Sequence, residues 1–443
     1  MNGLQYHRRG RTSRRRCKRT LRTRMNNLSS DPSIIALVQW MCSMGWNATC
    51  KLRLVSNFFT GRGLQAVNGV KAGDVLVRIP ERLLITASTV CNRLEIENVK
   101  VLLSEHGLLA VFIFLETQLG SDSPWFPYLQ TLPKSFAVPS NCSDFEILSL
   151  PLFMQKRVME QKYAIKTAFD NGCELITNLI SKGKLPSSAS VPTLSEFHHA
   201  WIVVNTRAVY MSCAADSLTC TILRDRDGSN LALAPYLDMF NHSFNAQVNA
   251  GFNKSTRCYE IRSQTKCPSM AQVFINYGPH DNMKLWIEYG FYLPGNPHEV
   301  ITFAWDNIQA IVKRRPNSSI TARKVEFLKG HGLLENLCCT VEGFSWGLSA
   351  IICVVCIEDC EISSYHKVFR GDWIPLESPL EIQFSLDLTA TKRMEFIEAR
   401  RRMLEVENSS DSFQIAIRIL EEYIDILNKV EAWLEGLSQK KCS

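Results

Sequence analysis

The sequence lacks any apolar run of the roughly 18 to 20 residues that a bilayer-spanning helix requires. Its longest, residues 108–115 and 348–357, both fall short. It also lacks the apolar core of a secretory signal, and its 16 cysteines are scattered through 443 residues instead of framing a small domain. These absences predict a soluble protein with reduced thiols, in the cytosol or nucleus and away from membranes. A Gly-x-Ser-x-Gly elbow between strand and helix is missing too, which argues against a Ser-His-Asp hydrolase despite "NHS" and "GPHDN". There is neither a P-loop nor a dinucleotide fingerprint with its acidic partner. Cys353, Cys356 and Cys360 in "CVVCIEDC" have no second Cys or His pair at finger-like distance, so no metal is expected. Internal repeats and low-complexity tracts are likewise absent.

What is present is an ordinary globular body behind an unusual first segment. A chain that is 46% hydrophobic and 21% charged can build two or three domains with real cores. No acidic residue precedes Asp31, whereas ten Lys or Arg fall between Arg8 and Arg24. Removing those ten from the net +7 leaves −3 for the remainder. Residues 1–30 are therefore expected to be a basic, solvated tail. Such a run suits a nuclear localisation signal, a loose phosphate-binding arm for nucleic acid, a mitochondrial presequence, or a plain flexible tail.

The body changes character along its length. "DPSIIALVQWMCSMGW" opens with the helix-start pair Asp31-Pro32 and places Ile35, Val38 and Met41 at helical spacing. "VLVRIPERLLI" alternates, so that Val75, Val77 and Ile79 share one face of a strand. Residues 101–120 read as a helix closing at Gly120, "SPWFPYLQTLPKSFAVPS" as a proline-punctuated loop, and 150–212 as mostly helical, with "EFHHAWIVVNTRAVYM" one apolar-faced helix. Short strands follow in "LALAPYL", "VNAGFN", "CYEIRS" and "QVFINYG". From 299 onward helical patterning returns. The last helix is expected to be capped by Asp411, with Ile417, Leu420, Ile424, Leu427 and Leu434 as its stripe and Glu421, Glu422 and Lys429 off it.

Four pieces carry candidate chemistry: "TGRGL" (60–64), "VNTRAVY" (204–210), "LAPYLDMFNHS" (233–243) and "INYGPHDNMKLWIEYGF" (275–291). Each alone has a bland reading. Gly-x-Gly is usually a tight turn, Asn-His a satisfied pair, and a Tyr in a β-rich core a packing residue. In this order and spacing they closely resemble the SET-domain protein-lysine methyltransferases. More narrowly, they resemble the Rubisco large-subunit methyltransferase-like class, whose SET domain is split by a helical insertion and followed by a helical substrate-binding domain. The pairing of Asn241-His242-Ser243 with Tyr277-Gly278 about 35 residues later is the specific signature.

That resemblance implies an α+β fold. A β-rich SET domain with a pseudoknot would span 31–300, with its helical insertion at about 105–212, and an all-α domain would occupy 301–443. It implies S-adenosylmethionine as cofactor, bound by Gly61, Arg62, Gly63, Leu64, Arg207, Asn241 and His242. Thr206, Asp238 and Tyr289 would shape the substrate channel, and Tyr277 would be catalytic. One departure concerns Met211, where the plant enzymes carry a second Arg. Methyl transfer from a sulfonium to an amine is an in-line displacement that needs alignment, exclusion of water and a neutral amine, but no protein nucleophile or metal. Histone tails are the expected partner, with a nuclear and cytoplasmic location. Two other readings stay open: a protein-histidine methyltransferase, and a catalytically silent chromatin adaptor.

Overall fold

The computed structural model describes residues 25–96, 103–211, 231–315, 319–357 and 365–442. The basic tail up to Arg24 and Cys360 thus lie outside the described residues. The chain forms two compact units, one running to Ser135 and resuming over Lys162–Gly278, the other made of Phe136–Gln161 and Pro279 onward.

Among its described residues the first unit holds three small sheets. Its strands are β1 (Met25–Asn27), β2 (Leu52–Asn57), β3 (Gly61–Ala66), β4 (Val75–Pro80), β5 (Ile85–Thr86), β6 (Ala208–Tyr210), β7 (Leu231–Leu233), β8 (Asn241–His242), β9 (Val248–Asn253), β10 (Cys258–Ser263) and β11 (Gln272–Ile275). The orders are β1-β2-β3-β11-β8, β4-β10-β9 and β5-β7-β6. Alternation in "VLVRI" buries Val77 and Ile79. Between them Arg78 faces its cross-strand partner Glu260 and binds it at 2.7 Å. Among the described residues the one parallel pairing sets β8 beside β11, with Asn241 opposite Phe274 and His242 opposite Ile275.

Helices pack around these sheets. Pro32–Ser43 starts as expected, the Asp31 carboxylate accepting from the Ser33 N–H. Its buried face, however, is Ile34, Leu37 and Met41, while Ile35 is 43% exposed. The run "IIALVQWM" is apolar almost throughout, so its spacing fits two adjacent faces and the packing selects one. Glu105–Leu119 is buried on nearly every side and ends at Gly120, whose φ is +53°. Leu194–Arg207 begins with a capping box between Thr193 and Glu196. It stops at Arg207 instead of running to Met211, because Ala208–Tyr210 pairs as β6 with β7.

The second unit is mainly helical. Trp346–Cys356, Pro379–Leu404 and Asp411–Cys442 supply much of its core. It also contains a three-stranded sheet of β12 (Ile301–Thr302), β13 (Cys338–Thr340) and β14 (Gly343–Phe344), which the helical pattern of this region concealed. Ser410, not Asp411, caps the last helix, its hydroxyl accepting from the Phe413 N–H. Ile417, Leu420, Leu427 and Leu434 are buried as the stripe requires, with Ile424 half-buried. Cys353 and Cys356 sit on the apolar Trp346–Cys356 helix, where burial pushes both thiols up to about 12. Among the described residues no group of three or more His, Cys, Asp and Glu is placed to hold a metal, and no helix is long and apolar enough to cross a membrane.

Candidate active site

The site of the first unit is built on a hairpin and a parallel strand pair. β2 and β3 are paired from Leu52–Ala66 to Asn57–Gly61, leaving Phe58, Phe59 and Thr60 as the turn. The Asn57 side chain accepts from the Phe59 N–H at 2.9 Å, and Gly61 takes φ +65°, a conformation that favours glycine. At Gly63 the requirement is space. A Cβ there would lie 2.3 Å from Gln272 Nε2 and 2.6 Å from Asn241 Nδ2. Asn241 Nδ2 donates to the carbonyls of Thr60 (3.1 Å) and Arg62 (2.8 Å), so this amide holds the turn against β8.

His242 is buried, and its Nδ1 accepts from the Tyr277 N–H at 3.1 Å. The imidazole is therefore unprotonated at Nδ1. The two rings lie 5.1 Å apart. The Tyr277 hydroxyl donates to the Phe240 carbonyl at 2.6 Å, which orients the phenol and leaves its oxygen's lone pairs as acceptors. Tyr277, 35 positions beyond His242, thus meets the Asn241-His242 pair through the β8–β11 pairing.

Beside them lies a charged cluster. Arg207, at the end of its helix, donates through Nη1 to the Asp238 carbonyl oxygen at 2.8 Å. The hydroxyl of fully buried Tyr128 donates to Asp238 Oδ2 at 3.1 Å, and Arg62 Nη1 donates to the Thr131 carbonyl at 2.8 Å. Burial raises the Asp238 carboxyl above its ordinary value despite the pull of Arg207. Burial, then the repulsion of Arg207, lowers the Arg62 guanidinium below its own. Two buried atoms here, Arg207 Nε and Asp238 Oδ1, have no hydrogen-bond partner among the described residues. Tyr236, which opens the Asp238 segment, has φ +69°, a strained conformation for a non-glycine residue.

Arg207 and Asp238, read as belonging to cofactor and substrate respectively, form one cluster with Arg62 and Tyr128. The Thr206 hydroxyl donates to the Ile202 carbonyl of its own helix at 2.9 Å. Tyr289 belongs to the second unit, at the end of a π-helical turn, Leu285–Tyr289, closed by Gly290. Its ring stacks on His280 at 6.2 Å, and burial raises its hydroxyl's pKa. Sequence reading missed Tyr128 and Gln272. Tyr128 lies in a proline-punctuated segment with no periodicity, and Gln272 has the pattern of any polar residue opening a strand.

The sequence from Gly61 to Gly278 matches the SET domain family profile. SET domain-containing protein 4 of Mus musculus is 35% identical over 83% of this chain and 83% of its own length. The chain belongs to the SET-domain methyltransferase family. More distant relatives of this SET protein include the ribosomal lysine N-methyltransferase set11 of Schizosaccharomyces pombe, 27% identical over 72% of this chain and 74% of its own. Another is an actin-histidine N-methyltransferase of Danio rerio, 26% identical over 85% and 65%. Among solved structures, the SET domain of LSMT bound to lysine and AdoHcy superposes with a TM-score of 0.60 at 20% identity, covering 92% of each chain. The α+β SET fold with a helical C-terminal region is thereby established, with S-adenosylmethionine as its cofactor. The residues present fit that cofactor: a turn with open space at Gly61 and a buried Arg207 Nε that still lacks an acceptor.

Proposed function

We propose that this SET methyltransferase is a protein-lysine N-methyltransferase whose substrates are histone tails. S-adenosylmethionine supplies the sulfonium-activated methyl group. Gly61, Arg62, Gly63 and Leu64 offer it a turn with little side-chain bulk, Asn241 fixes that turn, and His242 secures Tyr277 from behind. Arg207 is the donor for the cofactor's carboxylate. Thr206 and Asp238 shape the substrate channel, Asp238 acting together with Arg62 and Tyr128. Tyr277 orients the acceptor amine by hydrogen bonding without adding a charge that would compete with the sulfonium. The helical second unit docks the substrate protein. The observation that carries the reading is the meeting of Asn241, His242 and Tyr277 across the β8–β11 pair.

Lysine as acceptor is supported by the relative that modifies a ribosomal lysine and by the LSMT structure bound to lysine. The basic segment between Arg8 and Arg24 supports a nuclear and cytoplasmic distribution and a weak contact with nucleic acid near the histone substrate. Histidine is the alternative acceptor, favoured by the actin-histidine relatives.

The test is incubation with methyl-labelled S-adenosylmethionine and nucleosomes, wild type beside Tyr277→Phe and Asn241→Ala. Wild type is expected to label a histone lysine, and Tyr277→Phe to lose about 10²-fold or more in kcat. The pH dependence of kcat/KM separates the acceptors. A lysine amine, ordinarily titrating near 10.4, gives a rate that keeps rising into the alkaline range; an imidazole, near 6.5, gives one that levels above neutrality. Label on histidine in a lysine-to-histidine peptide panel overturns the lysine assignment. Cofactor binding without any labelled product favours the silent adaptor.

A further inference from the structure

Gln272 opens β11, paired with Gln65 across β3, and its side chain is buried behind the cofactor turn. Its Oε1 accepts from the Thr60 hydroxyl at 2.9 Å, a contact spanning 212 positions of sequence. Its Nε2 is buried and has no acceptor among the described residues. That nitrogen stands directly behind Gly63, 2.3 Å from where a Cβ would be. The neighbouring Gln65 is different: its Oε1 accepts from Arg53 and its Nε2 donates to the Met270 carbonyl, so both ends of its amide are used.

Thr60 and Gly61 are exposed, and backbone pairing holds the turn only from Gly61 inward. Besides Asn57, which accepts from the Phe59 N–H, two side chains secure the rest. Asn241 grips the carbonyls of Thr60 and Arg62, and Gln272 grips the Thr60 hydroxyl. A buried donor without an acceptor is unfavourable, and a simple scaffold would gain by replacing this glutamine with an apolar residue.

We propose that Gln272 is a positioning residue for the cofactor: through Thr60 it fixes the turn that receives S-adenosylmethionine, in partnership with Asn241. The inference rests on the reading of Gly61–Leu64 as the cofactor turn. Its signature is an effect on cofactor affinity that passes through the Thr60 hydroxyl and does not touch the protein substrate.

The experiment measures S-adenosylhomocysteine binding to the full chain by calorimetric titration, for wild type, Thr60→Val, Gln272→Met and the double variant. Each single variant is expected to weaken binding by roughly five- to tenfold, the effect of one lost hydrogen bond. The double variant should be no weaker than the weaker single one, because both substitutions remove the same bond. KM for S-adenosylmethionine should rise in proportion, with kcat and the KM for the protein substrate unchanged. Thr60 is on the exposed turn, so Thr60→Val keeps the test valid if Gln272→Met fails to fold. Binding within twofold of wild type in Thr60→Val, or losses in the double variant that multiply, overturns the proposal. A lowered melting temperature with unchanged affinity overturns it equally, by reducing Gln272 to a scaffold role. Gly63→Ala separates the two levels. If it leaves binding intact, the turn is not the cofactor's and the underlying reading fails. If it weakens binding while the Thr60 and Gln272 variants do not, only this inference fails.

Discussion

Asp238 shows how one carboxylate can matter through charge and through geometry separately. It sits between the guanidiniums of Arg62 and Arg207 while accepting the Tyr128 hydroxyl. Asp238→Asn preserves an acceptor for Tyr128 and the backbone bond to Arg207 but removes the negative charge between two cations. Asp238→Ala also leaves the fully buried Tyr128 hydroxyl without its acceptor. Because burial outweighs the pull of the two cations on this carboxylate, chemical denaturation is expected to show little loss for Asn and about 1–3 kcal/mol for Ala, which strands the Tyr128 hydroxyl. Equal losses would show that the acceptor for Tyr128 does not matter. Sequence made Asp238 visible through its spacing to Asn241 and His242, but not Tyr128, whose role depends on a contact 110 positions away.

Among the elements, the turn carrying Tyr289 is held by several side-chain hydrogen bonds. Asn282 and Leu293 exchange two hydrogen bonds, the Asn282 Nδ2 donating to the Leu293 carbonyl and the Leu293 N–H to Asn282 Oδ1, each at 2.8 Å. Gln161 Nε2 donates to the Ile287 carbonyl, and Trp286 Nε1 to Ser412. Gly290 closes the π-helical turn at φ +73°, where a Cβ would stand 3.0 Å from the Ala137 carbonyl carbon and 3.1 Å from its oxygen. Gly290→Ala therefore meets both a disfavoured backbone conformation and an unyielding main-chain neighbour. A stability loss of about 1–3 kcal/mol is expected from a melting curve. The helix start at Asp31 and the helix end at Gly120 were legible in the sequence. The register of the first helix, the cap at Ser410 and the strand after Arg207 were not. Each depended on which of two locally equivalent patterns found a partner.

For the whole molecule, pH adds a term that sequence does not reveal. Glu299 is buried, its Oε1 accepting from the Asn282 N–H and its Oε2 without a partner among the described residues. Burial, reinforced by Asp281 and Glu422, pushes its carboxyl up to about 8. The native state therefore retains a proton there that the unfolded chain releases near its ordinary value of 4.5. The corresponding stability is complete below about 4.5 and is lost as pH rises towards about 8. Relative to Glu299→Gln, which cannot titrate, wild type is expected to lose melting temperature between about pH 5 and 8. Parallel curves would show that Glu299 ionises normally.

By itself the sequence determined the family and the residue types of the candidate site, because the order and spacing of Asn241-His242 and Tyr277-Gly278 resemble those of SET domains and are fixed by the covalent chain. It also determined the charge division, a basic first segment and a body of −3, since charge is additive along a chain. Only the tertiary structure decided that Arg207 and Asp238 form one cluster with Tyr128, that Gln272 stands behind Gly63, and that a sheet interrupts the helical region. Those outcomes depend on hydrogen bonds and close contacts between segments far apart along the chain. There desolvation and available space, not local propensity, select among the conformations that a sequence permits.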